Sequence, residues 1–188
     1  MPFDISEVRI KGLKIITPKF HKDQRGIFYE SFKKSDFEKF GIANEFVQTN
    51  VSISKINVLR GLHFQVKPFA QAKLVTVLRG SIFDVAVDIR KGSPTFGQYQ
   101  SIELSEEDGK MFWLPEGFAH GFLSLKDNTK VMYWVTSEYS PQHERGIIWN
   151  DPSIGIKWPS ITPILSEKDL KFKSLEEADI NFTYGDKK

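Results

Sequence analysis

Phe83-Asp84-Val85-Ala86-Val87-Asp88-Ile89 alternates between larger apolar residues and small or acidic ones. A β-strand sends successive side chains to opposite faces, so Phe83, Val85, Val87 and Ile89 share one face and Asp84, Ala86 and Asp88 the other. That period predicts a strand in a sheet with one buried side. A turn at Gly80-Ser81 joins it to the apolar run Lys73 to Arg79. Phe112 to Pro115, Gly121 to Leu125 and Lys130 to Val135 are further apolar runs separated by Gly, Pro or Asp-Asn turns. Many short strands at this spacing predict an all-β sandwich or barrel.

Upstream, Glu7 to Pro18 alternates apolar and basic residues, His21 to Gly26 reads as a turn, and Ile27 to Phe32 as a second strand. A hairpin-like start is expected. Ser35-Asp36-Phe37-Glu38 has capping-box spacing and Gly41 is a stop signal, so Ser35 to Phe40 is expected to form a short helix. The strand pattern begins at Phe46. Beyond Tyr139, the prolines at 141, 152, 159 and 163 break any regular element, and this segment is expected to wrap the sheets. One helical turn is expected within Ser166 to Phe172, and fraying at the charged end. With no internal repeat, low-complexity segment or linker, residues 1–188 read as one domain.

The 188 residues are 40% apolar and 13% aromatic, enough for a sizeable core. The 26 basic and 24 acidic residues mix along the chain for a net charge of +2, so no basic tract points to nucleic acid as the main partner. Anion binding has to be local. The absence of cysteine excludes disulfides and thiolate metal sites and fits a reducing cytosol. Met1-Pro2-Phe3-Asp4 lacks the basic and apolar regions of a signal peptide, and no stretch approaches the ~18 apolar residues of a membrane span. A cytoplasmic protein, with no membrane partner, is expected.

Chemistry concentrates in Leu59-Arg60-Gly61-Leu62-His63-Phe64-Gln65. Histidine, with an unperturbed pKa of about 6.5, can take and return a proton near neutrality, and arginine offers a permanent charge suited to phosphate. Strand alternation sends Gly61, His63 and Gln65 to one face and Arg60, Leu62 and Phe64 to the other. Arg60 and His63 therefore share a pocket only if the strand is bulged, which Gly61 would permit. Three further clusters place polar groups where an all-β core does not need them. In Gln71-Ala72-Lys73 the lysine is either a solvated strand end or, inside a cleft, a stabiliser of a developing oxyanion. Gly117 to Phe122 flanks His120 with glycines and aromatics. Tyr133, beside Trp134, is either a core aromatic with its hydroxyl at the rim or a functional phenol. The four histidines, at 21, 63, 120 and 143, form no His-x-His pair, so the ligand spacing of a metal cage is lacking.

Taken with Ser93-Pro94-Thr95-Phe96-Gly97, Pro115-Glu116-Gly117-Phe118-Ala119-His120-Gly121-Phe122 and Trp149-Asn150-Asp151-Pro152, these motifs resemble the dTDP-4-dehydrorhamnose 3,5-epimerases. The likeness runs from Asp23-Gln24-Arg25-Gly26 to Leu165-Ser166-Glu167-Lys168-Asp169, nearly the whole chain. It implies a cupin-type β-jelly-roll, a homodimer and no catalytic metal or other cofactor. It also implies a dTDP-sugar substrate, dTDP-4-dehydro-6-deoxy-D-glucose, inverted at C3 and C5 to dTDP-4-dehydro-L-rhamnose. By position His63 matches the family's general base, Asp169 the carboxylate that orients it, Tyr133 the acid on the opposite ring face and Lys73 the group near the 4-keto oxygen. Arg25, Glu30, Gln48, Asn50, Arg60, His120, Glu144 and Lys168 match substrate-contacting positions, with the arginines facing the diphosphate, and Tyr139 matches the aromatic that stacks on thymine. Exchange of N-terminal strands between subunits is part of that expectation.

Thr49 stands where the family often has Asp, and Trp134 where Lys is common. The spacing Ser166-x-x-Asp169 also fits a plain helix cap, a competing account of Asp169. Three rival functions remain open at this level: an epimerase that inverts one carbon or takes a differently deoxygenated ring, a metal-dependent cupin, and a sugar-nucleotide-binding module without turnover.

Overall fold

The computed structural model describes residues 2–42 and 45–185. In chain order its strands are β1 (Phe3–Glu7), β2 (Lys14–Pro18), β3 (His21–Asp23), β4 (Gly26–Phe28), β5 (Gln48–Ser54), β6 (Leu59–Gln65), β7 (Lys73–Arg79), β8 (Ser81–Asp88), β9 (Tyr99–Ser105), β10 (Met111–Leu114), β11 (Phe118–Ser124), β12 (Thr129–Val135) and β13 (Glu144–Gly146), with helix α1 (Lys34–Lys39) between β4 and β5. Two antiparallel sheets dominate, a six-stranded one ordered β1-β2-β10-β7-β12-β5 and a five-stranded one ordered β13-β6-β11-β8-β9. From β5 to β8 the chain changes sheet at every step, so the turn at Gly80 carries it across the sandwich instead of closing a hairpin. This is a jelly roll.

Between the sheets, Val75, Val77, Phe112 and Val131 meet Ile82, Ala86, Phe118 and Phe122. Outside the five-stranded sheet, Leu62, Phe64, Val85, Val87 and Ile89 pack under Trp158, Leu175, Ile180 and Phe182 of the C-terminal segment, the expected wrap. Each large side chain so buried contributes about 1.5–3 kcal/mol. The outer face of the six-stranded sheet is covered by Phe37 and Ile42, packed on Phe3, Ile16 and Leu74. β8 is therefore buried on both faces, with Phe83 alone partly exposed, which corrects the expectation of one buried side there. Asp84 and Asp88 have no exposed surface, because the face that alternation suggested was wet is the interior of the sandwich.

The amino-terminal expectations hold only in outline. The hairpin expected between Glu7–Pro18 and Ile27–Phe32 does not form, because β2 pairs instead with β1, Phe3 opposite Pro18 and Glu7 opposite Lys14. β3 and β4 form a separate ribbon, and the strand expected to reach Phe32 stops at Phe28. Its turn is tightened by Asp23, whose carboxylate accepts the Arg25 backbone N–H and guanidinium. The capping box at Ser35 does not form: α1 starts at Lys34, its N-cap is Lys33 and no side chain caps it. Burial of Phe37 against Phe3, edge to face at 5.0 Å, holds the helix instead. Its chain then stops as expected, the Gly41 and Ile42 N–H groups returning to the Glu38 and Phe37 carbonyls. The expected C-terminal turn is a 3-10 turn at Asp169–Lys171. The frayed end was expected of the last charged residues, of which 186–188 lie outside the described residues. No helix among the described residues is long and apolar enough to cross a membrane.

Candidate active site

On the β6–β11 ladder His63 lies opposite His120 and Arg60 opposite Phe122, so three steps on β6 match two on β11. This bulge undoes the alternation that would part Arg60 from His63. Gly61 adopts φ +123°, and a Cβ there would sit 2.6 Å from the Gly121 Cα; a Cβ on Gly121 would sit 2.8 Å from the Arg60 carbonyl oxygen. Only paired glycines let the strands cross so closely. Arg60 and His63 consequently line one cavity of about 470 Å³ between the sheets.

That cavity also takes in Lys73, His120, Tyr133, Tyr139, Glu144, Lys168 and Asp169. A smaller chamber of about 200 Å³ adjoins it through His63, Lys73 and Tyr133 and adds Gln48 and Asn50. A groove of about 830 Å³ beside Arg9 and Phe96 is larger, but it gathers no paired acid and base. Arg25 and Glu30 are not brought to the cavity. They belong to the β3–β4 region, where the exposed Arg25 pairs with Asp23 at 2.6 Å.

His63 Nε2 lies 2.7 Å from Asp169 Oδ1. Burial works to raise the Asp169 pKa, but its bonds from His63, the Gly61 N–H and Ser166 outweigh it and hold the carboxylate below its usual range. The cap reading was half right: Ser166 Oγ accepts the Asp169 N–H at 3.1 Å, while the Asp169 side chain serves the histidine. The tautomer that donates Nε2–H to Asp169 is the one that leaves Nδ1 free to accept a proton. Phe172 meets the imidazole edge-on at 5.4 Å.

Across the cavity stands Tyr133 on β12, in the opposing sheet. Burial raises its pKa; Arg60 opposes this and Glu144 adds to it, so the phenol keeps its proton. Lys73 is buried, and burial pulls its ammonium down to about 8 against the Glu144 and Asp84 carboxylates. Its Nζ points back to the His63 carbonyl at 3.5 Å. At the mouth, Glu144 accepts the Tyr139 hydroxyl and pairs with Lys168. Burial would raise its pKa, yet these bonds and the Lys168 charge hold it below the usual range. Tyr139 is itself steered by Gln48, whose Oε1 accepts its N–H at 2.8 Å.

Sequence reading missed several lining residues. Ser54 Oγ accepts Arg60 Nε at 3.1 Å, and Ser52 and Phe122 border the cavity. The signal was present in Gln48-x-Asn50-x-Ser52-x-Ser54, whose intervening Val51 and Ile53 are 56% and 58% exposed. A strand that is polar inward and apolar outward marks a ligand cavity. Gln65 and Gln71 also border the smaller chamber, Gln65 bonding the Phe69 and Glu138 carbonyls. The two departures noted in the sequence lie off the site, Thr49 being exposed and Trp134 packing near Phe46. Among the described residues no group of three or more His, Asp or Glu side chains is arranged to hold a metal ion.

An imidazole and a phenol on opposing walls, with cations between them, suit a jelly-roll isomerase of small anionic substrates, and that is the class the fold and cavity define. The family profile of dTDP-4-dehydrorhamnose 3,5-epimerase matches residues 7–177, and the chain belongs to that family. It is 50% identical over 177 residues to the dTDP-4-dehydrorhamnose 3,5-epimerase of Sinorhizobium fredii, covering 93% of this chain and 91% of the relative. The Legionella pneumophila epimerase, solved in complex with dTDP-4-keto-L-rhamnose, aligns with a TM-score of 0.89 at 47% identity, covering 93% of this chain and 94% of that one. ChmJ, a 3'-monoepimerase from Streptomyces bikiniensis solved with dTDP-quinovose, aligns at 0.85 and 36% identity, covering 90% and 86%.

Proposed function

We propose that this chain inverts C3 and C5 of dTDP-4-dehydro-6-deoxy-D-glucose without a metal, giving dTDP-4-dehydro-L-rhamnose for dTDP-L-rhamnose synthesis. The observation that carries this reading is that His63 and Tyr133 face one cavity from opposing sheets. Inversion needs a proton to leave one ring face and return to the other. His63 Nδ1 takes the proton from the carbon beside the ketone, and the C–H electron pair moves onto the C4 oxygen as an enolate. The Lys73 ammonium stabilises that oxygen, an effect worth about 3 kcal/mol. Tyr133 protonates the carbon from the far side, and proton exchange with water resets His63 and the phenolate. A positioned base contributes roughly 10²–10⁴-fold. Asp169 holds the tautomer that leaves Nδ1 free.

Arg60 and Lys168 suit the diphosphate, Gln48, Asn50, His120 and Glu144 the remaining polar groups, and Tyr139, 51% exposed at the mouth, the thymine face. Residues 1–188 act as one domain in this reading. The working unit is a homodimer, with Arg25 and Glu30 reaching the partner's cavity through exchanged N-terminal strands. In its support, both lie away from the cavity of their own chain, and Ile27 and Phe28 beside them are 55% and 67% exposed. A stable monomer in light scattering at micromolar concentration would count against the dimer. The absence of cysteine supports a cytoplasmic setting.

Proton NMR of the substrate in D₂O with chelator present tests the reaction. Loss of both the C3 and C5 proton signals is expected. Exchange at one carbon alone would favour the second reading, a mono-epimerase, which the likeness to ChmJ supports. Exchange at neither would exclude both.

A further inference from the structure

Asp84 has no exposed surface and lies on the inner face of β8 between Ile82 and Ala86, two members of the apolar layer. Its Oδ1 is 2.7 Å from His120 Nε2, and its Oδ2 has no hydrogen-bond partner among the described residues. Four residues along, Asp88 is equally buried but accepts bonds from Arg90, Ser93 and Thr95, an arrangement that accounts for it structurally. Asp84 has no such account. A carboxylate taken out of water is costly, and an apolar residue of similar volume usually serves a fold as well or better. Such a group, beside a cavity, points to function.

The cavity supplies the reason. His120 borders it and stands directly across the ladder from His63. Lys73 borders it from β7, and the Asp84 charge acts on its ammonium. We propose that Asp84 is a positioning residue for the epimerisation: through the His120 Nε2–H it fixes the imidazole on the cavity floor, and it is the buried counter-charge behind Lys73. This rests on the reading above, in which Lys73 stabilises the enolate oxygen. Asp84 itself touches no substrate.

The charged and titratable groups around Lys73 are Arg60 and His63 on β6, Asp84 on β8, His120 on β11, Tyr133 on β12, Glu144 on β13, and Tyr139, Lys168 and Asp169 from the loops and the C-terminal turn. Burial draws the ammonium down to about 8, and the two carboxylates that oppose it are Glu144 and Asp84. Removing one of them lets Lys73 lose its proton at lower pH. Asp84→Asn keeps the shape and an acceptor for the His120 N–H but removes the charge. The alkaline limb of the kcat profile is then expected to move about one pH unit down, with kcat near neutrality falling about tenfold and KM changing less than about threefold. A folded Asp84→Asn chain with an unmoved limb and kcat within about threefold overturns the proposal.

If that variant does not fold, ¹⁵N-histidine NMR of the unaltered protein decides. His120 carrying its proton on Nε2 is the expected result, and a bare Nε2 would mean that Asp84 is a neutral donor and overturns the counter-charge. Calorimetry with dTDP separates this from failure of the reaction reading. A chain that binds dTDP yet exchanges neither carbon sinks the reaction, while the histidine spectrum still tests the Asp84–His120 bond.

Discussion

Two histidine–aspartate pairs with the same contact distance present their histidines to the cavity, His63 to Asp169 and His120 to Asp84, each 2.7 Å. They differ in water and in origin. The His63 side chain is 29% exposed and that of His120 7%. Asp169 arrives 106 residues along the chain, on the C-terminal wrap, whereas Asp84 is on β8, the strand beside His120. An imidazole that meets solvent and substrate can take and return protons; one locked beneath the surface can orient and polarise but exchanges poorly. Identical pairing thus supports a base in one place and a positioning role in the other, with exposure deciding between them.

Removing the exposed base should have the largest effect. His63→Ala is expected to lower C3 and C5 exchange by about 10³-fold or more, with dTDP affinity by calorimetry nearly unchanged. Asp169→Asn, which keeps shape but no longer enforces the tautomer, should cost about 10²-fold in kcat. Because the loss expected for Asp84→Asn is only about tenfold, equal losses from the two substitutions would erase the distinction between the pairs. Tyr133→Phe tests the opposing wall. Inversion should drop about 10²-fold while deuterium still enters through His63 with retention, so exchange and inversion, followed in one NMR series, should diverge.

A smaller effect concerns stability. Lys73 has a folded-state pKa of about 8 against an ordinary 10.5. Below about pH 8 both states carry the proton and the folded state bears the penalty, roughly 3 kcal/mol at neutrality. Stability due to this group therefore rises as pH climbs between those two values. Lys73→Met should raise Tm at pH 7 while activity falls, and a lowered Tm would show that the ammonium is instead a structural tie. Smallest is the acid response of the first pair. The Asp169 pKa is lowered in the fold, so its stabilisation is present above the ordinary carboxylate value and lost as pH falls through the folded one. Asp169→Asn should flatten that part of the Tm–pH curve, and an unchanged curve would mean that the His63 bond adds nothing to stability.

Much of the candidate site is legible in the sequence. His63, Lys73, Tyr133 and Asp169 stand in motifs whose order and length are specific, and the glycine at 61 announced the irregularity that lets Arg60 join them. Arg25 and Glu30 matched equally well, yet they lie outside the cavity of their own chain, since a motif match carries no statement of which surface a residue faces. Ser35 had the right spacing for a cap, but packing of Phe37 set the helix start one residue earlier. The burial of Asp84 is not legible, because alternation looks the same whether the polar side meets water or the interior of the sandwich.

The sequence by itself determined that this is an all-β protein and which kinds of side chain it has for proton transfer and anion binding, because alternation and side-chain chemistry are local properties. Only the tertiary structure decided that the strands from β5 to β8 alternate between sheets, that β8 is buried on both faces, and that His63 and Tyr133 line one cavity from opposing sheets. Those facts depend on pairings between residues far apart in the chain, which are selected by the burial of whole faces at once and leave no mark at any single position.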